Sequence, residues 1–339
     1  MGTDCNATPV LIATIPNGTI IPARGHFLVV GSQYSLGSYA TGNQTMTSDI
    51  ESDHNVAVFS TADIAAISTA TRKDAVGFDG NTGGGVCDLL REGNTLPPVS
   101  GTTTQHSFFR KECDFVAGVG CTVAGNPKDT NDNNADFMFA DTQGTFISGV
   151  PQHLGAPGPE NLQSPIRRDA VVNGTLLDNS KSSSVSPNRV RDLTSNPGNN
   201  STFGTLSIRR RFQNNSGANV TRLRFRIVEI TTFPSPGGGQ ADLRAITSTN
   251  VSVSGVNDPN TCQAANGSPT TPCTVNVKGT TLEQPPTQPN GGGYNSTMAD
   301  GTITLGTPLA NGASANVQFL LGVQTTGTFR FLIIVEALP

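Results

Sequence analysis

An all-β chain folded as two tandem β-sandwich domains is the expectation from three observations. Short apolar alternations recur between clusters of Gly, Pro, Asn and Ser, as strands joined by turns require. Only one short segment carries a helical apolar period, and the composition changes character near Ser164. With 339 residues and a prior of roughly 150 residues per domain, the expected division is 1–163 and 164–339. The 38 glycines, 22 prolines and only 14% charged residues suit many tight turns better than a charged, disordered chain.

In the first half, HFLVVG at His26, NVAVFS at Asn55, DAVGF at Asp74 and ADFMFA at Ala135 each read as a strand. The exception is the segment from Thr61 to Asp74. Ile64, Ile67 and Ala70 or Thr71 recur there at helical spacing behind a Thr61 cap, so a short helix or turn is expected as cover. The stretch Asn126 to Thr142 crowds Asp, Asn and Gly around one apolar run, which predicts turn, strand and turn.

In the second half, 178–202 is polar and turn-rich and reads as a surface loop or interdomain connection. TLSIRRRFQN from Thr205 and NVTRLRFRIVEIT from Asn219, separated by an Asn/Gly turn, carry a hairpin signature. Leu223, Phe225 and Ile227 are assigned to the core face, and Arg222, Arg224 and Arg226 to the opposite face. Further strands are expected at 250–255, 273–278, 301–305, 316–323 and 328–336, with a Pro- and Gly-rich loop at 283–294. The last strand is apolar on both faces, as a strand inside a sheet would be.

NGTIIPARGHFLVVG from Asn17, DAVGF at Asp74, QHSFFRKECD from Gln105, the Asp129 to Phe137 motif DTNDNNADF and HLGAPGPENLQSP from His153 together resemble the lamin-tail-like domains of secreted bacterial proteins. The resemblance extends over about residues 9–165. It implies an Ig-like sandwich of two antiparallel sheets, serving as a non-enzymatic attachment or scaffold. Such domains usually open with two or three strands ahead of the NGT turn, where this chain supplies only the residues before Asn17. The first sheet is therefore expected to be incomplete, with an exposed backbone edge and an open apolar groove. Either strands encoded upstream complete it, or another subunit supplies them by β-augmentation.

Six cysteines stand at 5, 87, 113, 121, 262 and 273. The short polar loops between Cys113 and Cys121 and between Cys262 and Cys273 predict two local disulfides, with Cys5 and Cys87 as the long-range pair. Zinc spacings of the Cys-x-x-Cys kind are absent. Disulfides would place the chain outside the cell. Met1 to Asn6 has no apolar signal core, so the sequence reads as processed, truncated at its front or cytoplasmic, with the first two preferred. The apolar runs are too short to span a bilayer, and a formal charge of -4 attracts neither nucleic acid nor anionic membranes.

Candidate chemistry is sparse. Asp129, Asn131, Asn133 and Asp136 alternate like calcium ligands, but Asn134 and Ala140 occupy the positions where such a loop wants Gly and a bidentate Glu. Structural turns are the simpler reading, and no metal or cofactor is assigned. The arginine face at 222, 224 and 226, with Arg209 to Arg211, would be a solvated strand face, an anion grip or a subunit interface. His26, His54, His106 and His153 are scattered, and no nucleophile elbow, paired-histidine metal motif or phosphate loop occurs. No catalytic residue is assigned. Sequons at Asn6, Asn17, Asn43, Asn173, Asn219, Asn250 and Asn295 are open to glycans.

The expected protein is a non-enzymatic extracellular structural or adhesive subunit of a surface layer or filament, a homo-oligomer joined by β-edge pairing. The alternatives are a monomeric module that binds a glycan or other cell-surface polymer and, last, a secreted hydrolase.

Overall fold

The computed structural model describes residues 8–338 apart from 52–53, 79–84, 98, 100–103, 114–126, 148–149, 165, 168–170, 235–236, 285–286 and 300–307. Strands dominate its regular structure, so the chain is all-β. It divides into two compact units. Met1–Phe139, Phe146–Val150 and Pro159–Ser164 form the first, and Ala140–Thr145, Pro151–Gly158 and Pro165–Pro339 the second.

In the first unit β1 (Val29–Val30) pairs in parallel with β2 (Gln44–Thr45), and β3 (Val56–Phe59) pairs antiparallel with β4 (Arg72–Val76). β5 (His106–Arg110) lies beside β6 (Phe137–Asp141). Phe78, Phe108 and Phe139 stack in series, at 4.8 and 4.9 Å between ring centroids. The segment after Thr61 forms a single 3-10 turn over Ile64–Ala66, not a longer helix. Its cap is Asp63, which accepts from Ala65 N at 2.9 Å, while Thr61 Oγ1 accepts from Asp63 N. Thr71 then passes the chain directly into β4, which leaves room for one turn only.

Asn43 and Asn161 tie the end of this unit to its beginning. Asn43 Oδ1 accepts from Leu28 N and Leu162 N, and Asn161 Nδ2 donates to Thr41 O. The NLQS portion of the late motif is thus a clasp on the early one.

The last two residues of β6 belong to the second unit, where they pair in parallel with β9 (His153–Leu154); β7 (Phe146–Ile147) and β8 (Val150–Pro151) form a short ribbon between them in sequence. The remaining strands are β10 (Ile166–Arg167), β11 (Val172–Leu176), β12 (Arg189–Asp192), β13 (Thr205–Asn214), β14 (Arg222–Ile230), β15 (Asp242–Ile246), β16 (Val251–Val256), β17 (Cys273–Val277), β18 (Thr281–Gln284), β19 (Thr297–Ala299), β20 (Ser314–Thr325) and β21 (Phe331–Leu338). One sheet runs β10-β21-β14-β19-β18. The other runs β11-β13-β20-β15, with β12 on the same edge of β13 as β11, each strand taking one half of it.

The two sheets share one core. Leu206, Ile208 and Phe212 of β13, Val317, Phe319 and Leu321 of β20, and Leu223, Phe225 and Ile227 of β14 all enter it. The Arg222 to Ile227 alternation therefore assigns the core face as expected. A satellite core of Leu177, Val253, Val256, Val275 and Val277 packs around the hairpin of β16 and β17. There a helix, α1 (Pro259–Asn266), is capped by Asp258, opened by Pro259 and closed by Gly267 in the left-handed region. Its Cys262 is bonded to Cys273, as the spacing predicts. Cys87 and Cys113 are also disulfide-bonded. The pairings expected for them fall on Cys5 and Cys121, outside the described residues.

Three sequence expectations are corrected here. β13 and β14 do not form a hairpin: β13 pairs with β11, β12 and β20, β14 with β19 and β21. Both strands carry a core face, and the chain between them crosses from one sheet to the other so that those faces meet. Asn214 holds the crossing by donating from Nδ2 to Ala218 O and Leu309 O, both at 2.8 Å. Secondly, 178–202 is no interdomain connection. It lies inside the second unit and contains β12, anchored by Asn188, which accepts from Asp178 N and donates to Asp178 O. Thirdly, the loop expected from 283 begins later, because Glu283 and Gln284 finish β18. The final strand β21 lies inside its sheet, between β10 and β14. The strand expected at 301–305 falls outside the described residues.

Candidate functional site: an apolar groove beside a sheet edge

Of the described residues, β4 alone is paired with β3, which leaves the other edge of β3 without a ladder partner among them. Beside β3 lies a groove of about 580 Å³. Val56, Val58 and Phe59 line it together with Ile64 and Ile67 of the following turn and Leu90. The segment from Pro9 to Ile15, PVLIATI, forms a further wall outside any regular element. Thr47 holds that segment: its N–H donates to Ile12 O at 2.9 Å and its hydroxyl contacts the carbonyls of Leu11 and Ile12 at 3.3 Å. Even so, Val10 is 56% exposed, Leu11 43% and Val58 52%. Several large apolar side chains around one cavity, next to a strand edge with no ladder partner among the described residues, is an arrangement that folded proteins cover or pair.

The turn once read as a possible calcium loop is spoken for by the chain itself. Asp136 is buried and accepts from Thr130 N at 2.6 Å, Thr130 Oγ1 at 2.7 Å and Asp132 N at 3.3 Å. Asp132 caps the short helix α2 (Asn133–Asp136; α1 above follows it in sequence) by accepting from Ala135 N, a bond that holds its carboxyl below the usual range. Asn133 is buried and bridges three elements, accepting from Gly77 N and Glu92 N and donating to Ala75 O. Asp129 accepts from Asn131 N. Asp129, Asn133 and Asp136 thus each accept from backbone N–H groups, and no metal-holding group of acidic, His or Cys side chains occurs among the described residues.

Charges around this turn are paired off in the same way. Arg110 binds both oxygens of Asp74, at 2.5 and 2.7 Å, donates to Lys128 O and lies 4.5 Å over the Phe137 ring. Lys111 and Lys128 both donate to Ala135 O, and burial, then the neighbouring Lys128, pulls the Lys111 ammonium below its ordinary value. Glu92 is the costly member. Burial, then repulsion from Asp74, raises its carboxyl above 4.5, although Arg72 lies 3.6 Å away. A raised carboxyl contributes stability below its unfolded value and loses it as pH rises through the folded one. Glu92→Gln is accordingly expected to unfold at higher denaturant than the parent chain at pH 7, with the difference closing below about pH 4.5. Urea titrations at the two pH values measure this, and an unchanged difference across them would rule the carboxyl out as its source.

The arginine face is not solvated, contrary to the simplest sequence reading. Arg224 and Glu336 are fully buried, and Arg226 nearly so. Glu336 stands directly across the ladder from Arg224 and diagonally from Arg226, accepting from Arg224 Nε at 2.6 Å and Arg226 Nε at 2.7 Å. Arg226 continues to Asn295 Oδ1, and Asn295 Nδ2 reaches Ala156 O. Arg222 pairs with Glu283 at 3.3 Å nearer the surface. Arg209 donates to Gln318 Oε1 and Arg211 to Asn260 O, so the outer arginines serve neighbouring strands and loops.

The four histidines remain apart in the contacts they make. His26 lies 3.4 Å from Glu160, His106 Nδ1 is 2.9 Å from Thr104 O, and His153 meets the Tyr294 ring edge-on. His54 follows a turn, its N–H donating to Glu51 O. Two sequons are also built into the fold: Asn295 is buried in the arginine network, and Asn43 is a backbone clasp. Asn250 accepts from Gly279 N. No described helix is long and apolar enough to cross a membrane. Comparison with family models, curated proteins and solved structures finds no match.

Proposed function

We propose that this protein is a non-enzymatic extracellular structural or adhesive subunit, built from two Ig-like sandwiches and self-assembling by β-strand exchange into a surface layer or filament. The observation that carries this reading is the apolar groove along the open edge of β3. Its proposed occupant is the Pro9 to Ile15 segment of a second copy. That segment is apolar, rich in β-branched residues and already part of the groove wall, with Val10, Leu11 and Ile15 substantially exposed. A neighbour's copy would satisfy the free backbone edge by ladder bonds and bury those side chains, the mode of strand addition and swapping. Disulfides and a low charge support the same setting: the first suits an oxidising compartment, and the second weakens repulsion between copies.

Val58→Asp tests the proposal, because a half-exposed position tolerates the change in a lone chain but not in a buried apolar groove. Sedimentation velocity over a concentration series and negative-stain electron microscopy should show the parent chain assembling. The variant should stay monomeric, with its thermal midpoint within a few degrees of the parent. A parent chain that is monomeric at every concentration, or a variant that assembles equally well, sinks the strand-exchange reading.

A further inference from the structure

A second cavity, of about 300 Å³, opens in the second unit beside the edge strand β12. Leu206, Ala241, Leu243 and Val323, buried members of the main core, line it. Arg189 and Arg191 stand over it. In the β12–β13 ladder Arg189 faces Ile208 and Arg191 faces Leu206, and cross-strand partners share a face. Both arginines therefore occupy core-facing positions of an edge strand, where apolar side chains would continue the sandwich.

The two guanidinium groups are in different states. Arg191 is consumed by the backbone, donating to Asp192 O, Thr205 O and Phe203 O at 2.6–2.8 Å. Arg189 donates only from Nε, to Ser184 O at 3.2 Å, and its guanidinium lies 5.8 Å from the centre of the Phe329 ring. Its two terminal amino groups have no acceptor among the described residues. Nearby charge is of the same sign. Arg210 is pushed below its ordinary value by burial and then by Arg189, while the closest acid in sequence, Asp192, caps Thr194 N.

From this geometry we infer that the cavity binds a small apolar carboxylic acid, whose aryl or alkyl body fills the floor and whose carboxylate takes the paired donors of Arg189. A planar fork with its amino groups free is the side chain best suited to a carboxylate, and Phe329 supplies an aromatic wall beside it. The volume lies at the lower limit of small-molecule pockets, which run from about 300 Å³ upward, so the ligand is of the size of phenylacetate. A rival role for inward-pointing arginines on an edge strand is to deter pairing with a second sheet. That role needs no ligand.

The test is an NMR titration of the full chain with phenylacetate, 2-phenylethanol and acetate. Phenylacetate should saturate with Kd on the order of 1 mM, the affinity so few atoms can supply, and shift the amides of Arg189, Gly327 and Phe329. The alcohol, which lacks the charge, and acetate, which lacks the ring, should each bind at least about tenfold more weakly. Arg189→Gln should weaken phenylacetate by about tenfold or more, and Phe329→Leu by a smaller factor. The inference is overturned if phenylacetate fails to saturate up to roughly 10 mM, if the alcohol binds as well, or if the shifts fall elsewhere. Arg189→Gln that self-associates while phenylacetate leaves the parent chain unmoved assigns the arginines to edge protection instead. The three-ligand comparison on the parent chain stands even if a variant fails to fold.

Discussion

Glu336→Ala is expected to destabilise the second unit by about 3–5 kcal/mol, the usual cost of removing one partner from a buried ion cluster. Glu336 pairs with both Arg224 and Arg226, and all three lie at or near complete burial. Without it two guanidinium groups on adjacent core-depth positions would repel each other in a region too dry to screen them. Urea denaturation at low and high salt measures the effect, and the loss should persist at high salt because buried charges are poorly reached by ions. Replacing the whole cluster at once, as Arg224→Met, Arg226→Met and Glu336→Leu, should recover most of the loss, since apolar groups need no compensation. Asn295 would still lose its arginine donor, so the recovery should fall short by roughly 1–3 kcal/mol. A loss below about 1 kcal/mol for Glu336→Ala would mean that water reaches the cluster and screens the arginines.

This cluster also shows where sequence reading stops. Alternation along Arg222 to Ile227 separates the two faces of β14 correctly, because side chains on a strand must alternate. It cannot say whether the polar face meets water. That depends on Glu336, a residue far along the chain that arrives beside Arg224 only once β21 has paired, and on Asn295, which accepts from Arg226 and is itself held by Ala156 O. The false hairpin has the same root. TLSIRRRFQN and LRFRIVEI each specify a strand, and a short Asn/Gly stretch between strands ordinarily means local pairing. Here each strand has a stronger partner elsewhere, and core closure places them in opposite sheets.

Where signals are local, more was legible. Asp258, Pro259 and Gly267 spell out the start and end of the helix carrying Cys262, signals that the cysteine spacing by itself does not use. The turn at Asp129 to Asp136 follows its Asx and capping chemistry closely, and β6 follows it as expected. The missing strands predict an open groove in the first sheet without saying which strand it would border, and the groove beside β3 is a separate observation. Its lining by PVLIATI was not expected, because an apolar segment without turn signals says nothing of which edge it will lie against. The cavity under Arg189 had no sequence signal at all: its walls come from β12, β13, β15, β20 and the Thr326 to Phe329 stretch, which meet only in the folded chain.

Phe319→Ala is expected to cost about 3–5 kcal/mol, the range for emptying a fully packed aromatic position. Phe319 is 1% exposed at the middle of β20, and its ring touches both layers of the sandwich. Within its own sheet it meets Phe212 at 6.1 Å between centroids, and across the core it meets Phe225 at 4.9 Å and Phe331 at 5.9 Å. Truncation removes the shared partner of all three rings, and the strands around them are too firmly laddered to collapse inward. Phe319→Leu keeps part of the volume and should cost less, roughly 1–2 kcal/mol. Hydrogen exchange distinguishes this from a diffuse effect. Amides of β13, β14 and β20 should lose protection together, while those of β3 and β4, in the other compact unit, should hold theirs. Equal loss in both would show that the aromatic cluster stabilises the whole chain as one cooperative body.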